Sequence, residues 1–281
     1  MADKPRRTSE YTSQQAELVR ATCLYVATKL GDMMDELVVV GGLVPSLIID
    51  QEMLPSDVAP HVGTMDLDVG LQLALLHEGR YRQLTERLRD AGFAMDKNDA
   101  GNPTRQRWAI SRGGTVTVDF LIQPTNDGDK GGKLRDLQPD FAAIIAPGLR
   151  CAFRDREQVT VRGTTLFGER ASRDVWVAGA GAYVVLKALA FDSRGENKDA
   201  YDLFYVVRNF RTGPADVAAK LRPLATEPEA QRALAVLRRD FAELDAVGPM
   251  RVATFVTGGR DDELQADVVA FIGQLIGLVG D

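Results

Sequence analysis

The stretch Thr64-Met65-Asp66-Leu67-Asp68-Val69-Gly70-Leu71-Gln72-Leu73 decides how the chain reads. Side chains of an extended strand alternate between its two faces. Met65, Leu67, Val69, Leu71 and Leu73 therefore share one face, and Thr64, Asp66, Asp68, Gly70 and Gln72 the other. The apolar row asks for a core, while the polar row holds two carboxylates that point the same way. A second strand, TVTVDFLI from Thr115 to Ile122, repeats the pattern: Val116, Val118, Phe120 and Ile122 lie on one face, and Asp119 lies with Thr115, Thr117 and Leu121 on the other. Carboxylates so placed suit magnesium, a hard cation that takes a few protein oxygens and leaves its other positions to water and phosphate. A pair of such ions can stabilise the attacking and leaving oxygens of a displacement at phosphorus. Taken alone, Asp-x-Asp fits equally well with carboxylates that merely face solvent on half-exposed strands.

Upstream, Thr12 and Gln15 have capping-box spacing ahead of a helical run through Leu18, Cys23, Val26 and Leu30. Glu36 to Val40 reads as a short buried strand ending in Gly41-Gly42, and LVPSLIID behind it as a helix starting near Pro45. A glycine-rich strand-to-helix turn leaves backbone N–H groups free and lets a phosphate approach the main chain. Downstream come a helix from about Leu76 to Ala91 stopped by Gly92, strands at FAMDK and RQRWAI, and a loop over 123–136 that is flexible by composition. Short strand-like pieces QVTVRG, TTLFG and DVWVAG follow, and from Gly179 onward the periodicity is helical. The expected fold class is α+β: a mixed sheet with flanking helices over 1–178, its first residues 1–11 disordered, then a helical C-terminal domain over 179–281.

Composition bounds the function. The chain has 281 residues, 45% of them hydrophobic, enough for a substantial core. Its net charge of −6 gives no global basic field of the kind that marks a nucleic-acid coat or a membrane-surface protein, so phosphate binding must come from local clusters. Cys23 and Cys151, with two histidines, match no standard zinc spacing. A reduced, cytoplasmic chain is expected. No segment approaches the ~20 apolar residues of a transmembrane helix, and no membrane partner is expected.

A second constellation lies in LKALAFDSRGENKDAYDLFYVV. Lys187 falls in one helix, Arg194 and Gly195 in the turn after it, and Asn197 at the cap of the next helix, which carries Lys198, Asp199 and Asp202. One reading is a capped, ion-paired surface helix, with Asp199 near the positive end of the dipole and Lys198 and Asp202 as an i,i+4 pair. The other is that Lys187, Arg194 and Lys198 present cations to a triphosphate while Asp199 and Asp202 orient them.

In this order, Gly41-Gly42, Thr64-Met65-Asp66-Leu67-Asp68, Val118-Asp119, Lys187, Arg194, Lys198-Asp199 and Asp202 resemble the AbiEii/AbiGii toxin family of nucleotidyltransferases, which includes the MenT-type toxins and belongs to the polymerase-β-like superfamily. The likeness spans roughly residues 36–207, and the later Lys…Arg-x-x-x-Lys-Asp-x-x-Asp block matches at every named position. The segment between Gly42 and Thr64 is longer than the compact family spacing. The resemblance implies a nucleotidyltransferase-type sheet, Mg²⁺ or Mn²⁺ as cofactor on Asp66 and Asp68, and an NTP as substrate, with Asp119 placed as the third metal ligand by strand pattern more than by a distinctive motif. Gly41, Gly42, Thr64, Arg194, Lys198, Asp199 and Asp202 would stand at the nucleotide, and Lys187 with the three acids would be catalytic. It further implies transfer of a nucleoside monophosphate with release of pyrophosphate, the 3′ end of tRNA as acceptor, and a toxin role with a cognate antitoxin as partner. Transfer to a small molecule such as an aminoglycoside or to a protein hydroxyl is the alternative on the same fold. A non-catalytic nucleotide-binding or partner-binding module is the alternative from another class.

The remaining candidates are weaker. DGDKGGK departs from a phosphate-binding loop, with Asp127 where the first glycine belongs and Leu134 where Ser or Thr should follow Lys133. His61 and His77 read as surface residues, and Ser46 and Ser193 lack a histidine partner for nucleophilic chemistry. Cys151 and Trp176 read as core residues. Arg105/Arg107/Arg112 and Arg150/Arg154/Arg156 are local clusters that could contact phosphates.

Overall fold

The computed structural model describes residues 5–72 and 78–280. Leu73, the expected helix start near Leu76, and His77 lie outside the described residues. The first element among the described residues is a 3-10 turn, Thr8–Glu10, followed by α1, Ser13–Leu30. Of the residues 1–11 expected to be disordered, 1–4 lie outside the described residues, whereas Thr8 Oγ1 donates to Val256 O at 3.3 Å and Tyr11 meets Phe255 edge-on, so this turn is docked on the helix Val247–Thr257 in the helical part. The cap of α1 is the expected one: Thr12 accepts from Gln15 N at 3.2 Å. Strand β1, Leu37–Val40, is buried throughout and ends in a 3-10 turn, Gly41–Leu43, that runs straight into α2, Val44–Ile48. Next come β2, Asp66–Leu71; α3, Glu78–Asp90; β3, Ala94–Lys97; β4, Pro103–Ser111; and β5, Thr115–Ile122.

The stretch 123–136 is more ordered than its composition suggests. Its end belongs to β6, Leu134–Gln138, which pairs antiparallel with β7, Phe141–Ile145. The loop before it is tied by Asp129, which accepts from Thr125 N and Asn126 N at 2.7 and 2.9 Å and also pairs with Arg135. A short α4, Leu149–Arg154, leads to the hairpin of β8, Arg156–Thr164, and β9, Arg170–Ala178. Of the stretch TTLFG, Thr164 ends β8 and the rest is the turn between those two strands rather than a strand of its own.

Among the described residues these strands form one mixed sheet in the order β3-β4-β5-β2-β1-β9-β8, with β7 joined to β5 and β6 to β7. The central pair β2–β5 is parallel, and antiparallel β1 and β4 flank it. Leu67, Val69, Leu71, Val116, Val118, Phe120 and Ile122 are all buried, as the alternation requires. Met65 departs from that pattern at 37% exposure, because β2 begins only at Asp66. The opposite face of β2 is open only at its beginning. By Gly70 it is covered by α4, where an added Cβ would lie 2.7 Å from Leu149 Cδ1.

Beyond the sheet the chain is helical: α5, Ala180–Arg194; α6, Asn197–Asn209; α7, Pro214–Leu221; α8, Pro228–Asp240; α9, Val247–Thr257; and α10, Asp262–Gly280. The architecture is thus an α+β sheet with flanking helices followed by a helical C-terminal part. Asp155 joins the two, since its carboxylate accepts from Ala182 N at 2.9 Å and satisfies one of the free N–H groups that open α5. The α10 helix corrects one expectation: with 19 residues and a mean hydropathy of 1.3 it is long and apolar enough to cross a membrane. In this fold it lies along α7 and α9, with Gln265, Val268, Ile272 and Leu275 buried.

Candidate active site

Strand register builds the acidic half of the site. Asp66 pairs with Thr117 and Asp68 with Asp119 across the β2–β5 ladder, and one oxygen from each of Asp66, Asp68 and Asp119 lies within 4.8 Å of the others. Asp119 is buried, and Asp66 and Asp68 are half-buried. Burial, then the charges of Asp66 and Asp119, push the Asp68 carboxyl up to about 8, although Lys187 and Arg194 pull it down. Thr64 Oγ1 donates to Asp66 Oδ1 at 3.0 Å and orients it. Arg107 stands directly across β4–β5 from Asp119 and donates twice to it, Nε to Oδ1 at 2.7 Å and Nη2 to Oδ2 at 2.5 Å. Three carboxylates and one guanidinium leave two negative charges when ionised, the complement of one divalent cation. A carboxylate has about four lone-pair sites, so two bonds from Arg107 do not exhaust Asp119. The donor set therefore fits Mg²⁺ or Mn²⁺.

The glycine turn closes over these acids. A Cβ at Gly41, where φ is +71°, would sit 1.9 Å from Asp68 Oδ2, and one at Gly42 would sit 2.8 Å from Thr64 Oγ1 and 3.3 Å from Lys198 Nζ. Only glycine permits this approach. The turn consequently lies between the carboxylates on one side and the second constellation on the other.

That second constellation is a buried ionic lattice. Lys187 Nζ donates to Asp199 Oδ1 at 3.0 Å and reaches Asp202 Oδ2 at 2.7 Å. Arg194 clamps Asp199 through Nε at 2.6 Å and Nη2 at 2.8 Å, and Lys198 Nζ reaches both Asp202 oxygens at 2.7 and 2.9 Å. Burial alone would raise both carboxyls, but Lys187 with Arg194 outweighs it at Asp199, and Lys187, Lys198 and His61 outweigh it at Asp202, so both lie below the usual range. Burial would likewise lower Lys187, yet Asp202 and Asp199 raise it above the ordinary lysine value, whereas Lys198 is lowered, chiefly by burial. Three cations against two carboxylates leave one positive charge facing the acids.

Several placements differ from the sequence expectation. Lys187 was expected to extend its ammonium to the cleft; instead its side chain, 8% exposed, turns inward onto Asp199 and Asp202, and Arg194 at 53% is the open cation. Asn197 is not the cap of α6: Glu196 holds that position, and Asn197 Oδ1 accepts from Arg251. His61 is no surface residue but is buried against α6, with Nε2 2.9 Å from Asp202 Oδ1. Nothing periodic marks a loop histidine, so sequence alone had no signal for it. Most of the arginine clusters are internally spent, Arg105 on Asp136, Arg107 on Asp119, and Arg150 and Arg154 on Glu227, while Arg112 and Arg156 lie over Phe167 and Trp176. Tyr11, unforeseen, lies with its ring 5.5 Å from Lys198 Nζ.

No protein-family model and no curated protein matches the sequence. Among solved structures, the chain is similar to an antigenic nucleotidyltransferase-like protein from Paracoccidioides brasiliensis, with a TM-score of 0.42 and 16% identity over 81% of this chain and 88% of that one. A likeness at that level fixes neither activity nor ligand.

Proposed function

We propose that the chain is a metal-dependent nucleotidyltransferase that moves a nucleoside monophosphate from an NTP to an acceptor hydroxyl and releases pyrophosphate. One observation carries the reading: the acid triad and the cation lattice meet at the same glycine turn, with Asp68 against Gly41 and Lys198 against Gly42. Neither group needs the other for folding in a bland ion-paired protein, whereas a metal-bound triphosphate needs both.

Asp66 and Asp68, with Asp119, would hold Mg²⁺ or Mn²⁺, which supplies Lewis-acid stabilisation of charge on the phosphates. Thr64 keeps the Asp66 oxygen oriented. The acceptor oxygen forms a bond to the α-phosphorus, and Asp119, held in place by Arg107, takes up the hydroxyl proton. The bond from the α-phosphorus to the bridging oxygen breaks, and its electron pair leaves with pyrophosphate. Arg194 and Lys198, aimed by Asp199 and Asp202, offset that growing charge, and the Gly41-Gly42 turn, where the absence of side chains lets a phosphate approach the main chain, would offer backbone N–H donors to it.

The finer reading rests on motif order: a member of the AbiEii/AbiGii family, acting on the 3′ end of tRNA as a toxin restrained by an antitoxin. The deciding experiment incubates the protein with Mg²⁺ or Mn²⁺ and each labelled NTP, in parallel with total RNA, an aminoglycoside, or no acceptor. Label in tRNA supports the finer reading, and label in the aminoglycoside or in the chain itself keeps the activity and replaces the acceptor. Asp66→Ala and Asp68→Ala must abolish transfer. No transfer from any NTP with either metal removes the enzymatic reading and leaves a binding module.

A further inference from the structure

The segment 49–63 leads from α2, which follows the glycine turn, toward the carboxylate strand, and near its end His61 is buried against α6. Its ring stacks on Tyr201, centroids 5.4 Å apart and planes 19° apart, and meets Tyr205 edge-on at 4.9 Å. Gly63 N donates to Nδ1 at 3.1 Å, so that nitrogen carries no proton, and Nε2–H is left to donate to Asp202 Oδ1 at 2.9 Å. The backbone N–H of His61 donates to Gln51 Oε1 at 2.8 Å, and the Tyr205 hydroxyl donates to the same oxygen at 3.0 Å. Burial keeps the ring neutral, lowering it to about 4 despite the opposing pull of Asp202.

Asp202 is the carboxylate shared by Lys187 and Lys198, and Lys198 is the ammonium that adjoins Gly42. A neutral donor on Oδ1 fixes that carboxylate without adding a third positive charge beside two ammoniums. An imidazolium there would repel both.

We propose that His61 is a positioning residue: by donating Nε2–H to Asp202 it holds the carboxylate that aims Lys198 at the glycine turn, and so sets the affinity of the cleft for a triphosphate. The inference rests on the nucleotide reading above. Without the imidazole, Asp202 Oδ1 keeps the bond from Lys198, the ammonium is drawn inward, and the 49–63 segment stays held to α6 through the Tyr205 hydroxyl, which reaches Gln51 and Ala59.

His61→Phe keeps an aromatic ring beside Tyr201 and Tyr205 but removes both nitrogens, whereas His61→Gln offers an N–H donor again. Steady-state kinetics with the NTP used by the wild type should show KM raised about tenfold in His61→Phe, the size of one hydrogen bond to a charged group. The same variant should also lower kcat, because Lys198 offsets charge on the leaving pyrophosphate as well, and His61→Gln should recover most of both. An unchanged KM in folded His61→Phe, or a loss confined to kcat, overturns the proposal while leaving the activity standing. A wild type that uses no NTP removes the nucleotide reading and the proposal with it. Nitrogen NMR of the imidazoles adds a readout free of activity, and with two histidines in the chain His61→Gln assigns the signals. The His61 ring should stay the neutral Nε2–H tautomer from pH 7.5 to 5, and protonation near the ordinary histidine value overturns the geometry on which the proposal stands.

Discussion

Asp68 faces Asp119 directly across the parallel β2–β5 ladder, and Asp119 in turn faces Arg107 across the antiparallel β4–β5 ladder. Like charges directly opposite in a sheet oppose pairing. Arg107 relieves one of the two, and the remaining charge at Asp66 and Asp68 is what a divalent cation would relieve.

Metal should therefore stabilise the protein in a pH-dependent way. The fold raises Asp68 from 3.8 to about 8, so it favours the neutral form, and stability is lost as pH climbs through that range. A bound cation favours the carboxylate and works in the opposite direction. Mg²⁺ or Mn²⁺ should raise Tm more at pH 8.5 than at pH 6, and Asp68→Asn should remove most of the effect. A metal-induced shift of equal size at both pH values, or one retained in Asp68→Asn, would contradict this.

Arg107→Gln leaves the buried Asp119 carboxylate without its guanidinium. Breaking such a pair on one side should cost about 2 kcal/mol, measured by urea unfolding without metal. The loss should shrink when Mn²⁺ is present, because the cation takes over the neutralising role. Equal losses with and without Mn²⁺ would mean that Asp119 is no metal ligand.

The glycine turn allows a graded test. Gly41→Ala places a methyl group 1.9 Å from an Asp68 oxygen at a positive φ, while Gly42→Ala meets Thr64 at 2.8 Å and Lys198 at 3.3 Å. Gly41→Ala should lower Tm and abolish metal binding. Gly42→Ala should keep the metal-induced rise in Tm but weaken nucleotide use, since it disturbs the Lys198 side of the turn. Nucleotide use at the wild-type level in Gly42→Ala would argue against phosphate at this turn.

Much of this was legible because it follows period and spacing. Alternation alone put Asp66, Asp68 and Asp119 on polar faces, and helical spacing alone paired Lys198 with Asp202. What alternation cannot supply is which strands become neighbours, so the exact opposition of Asp68, Asp119 and Arg107 needed the register. Burial was equally hidden. Lys187 looks like a lysine free to extend, and only the approach of α6 to α5 turns it onto Asp199 and Asp202. His61 sits in an irregular segment where no periodicity constrains it, and its partner lies 141 residues away.

Two opposed titrations give the last prediction. His61 has an ordinary value of 6.5 and is lowered by burial to about 4, so the unfolded chain binds a proton there that the fold refuses, and its contribution to stability is lost as pH falls from 6.5 toward 4. Asp68, raised to about 8, acts in the reverse sense over the same interval, because the fold binds a proton that the unfolded chain releases. Each one-proton difference is worth about 1.4 kcal/mol per pH unit at most. Between pH 6.5 and 4 the two slopes oppose, and the wild type should change little on their account. Asp202 does not enter this window: its carboxyl lies below the usual 3.8, so its contribution is lost only in stronger acid. Asp68→Asn should unmask the histidine slope, with Tm falling as pH drops from 6.5 to 4, whereas His61→Phe should unmask the carboxylate slope, with Tm rising over the same interval. The double variant should return toward the flat wild-type profile. Parallel profiles in all four proteins would show that neither group has its pKa displaced by the fold, and with that both the charge crowding at Asp68 and the neutral, buried state of His61 would have to be given up.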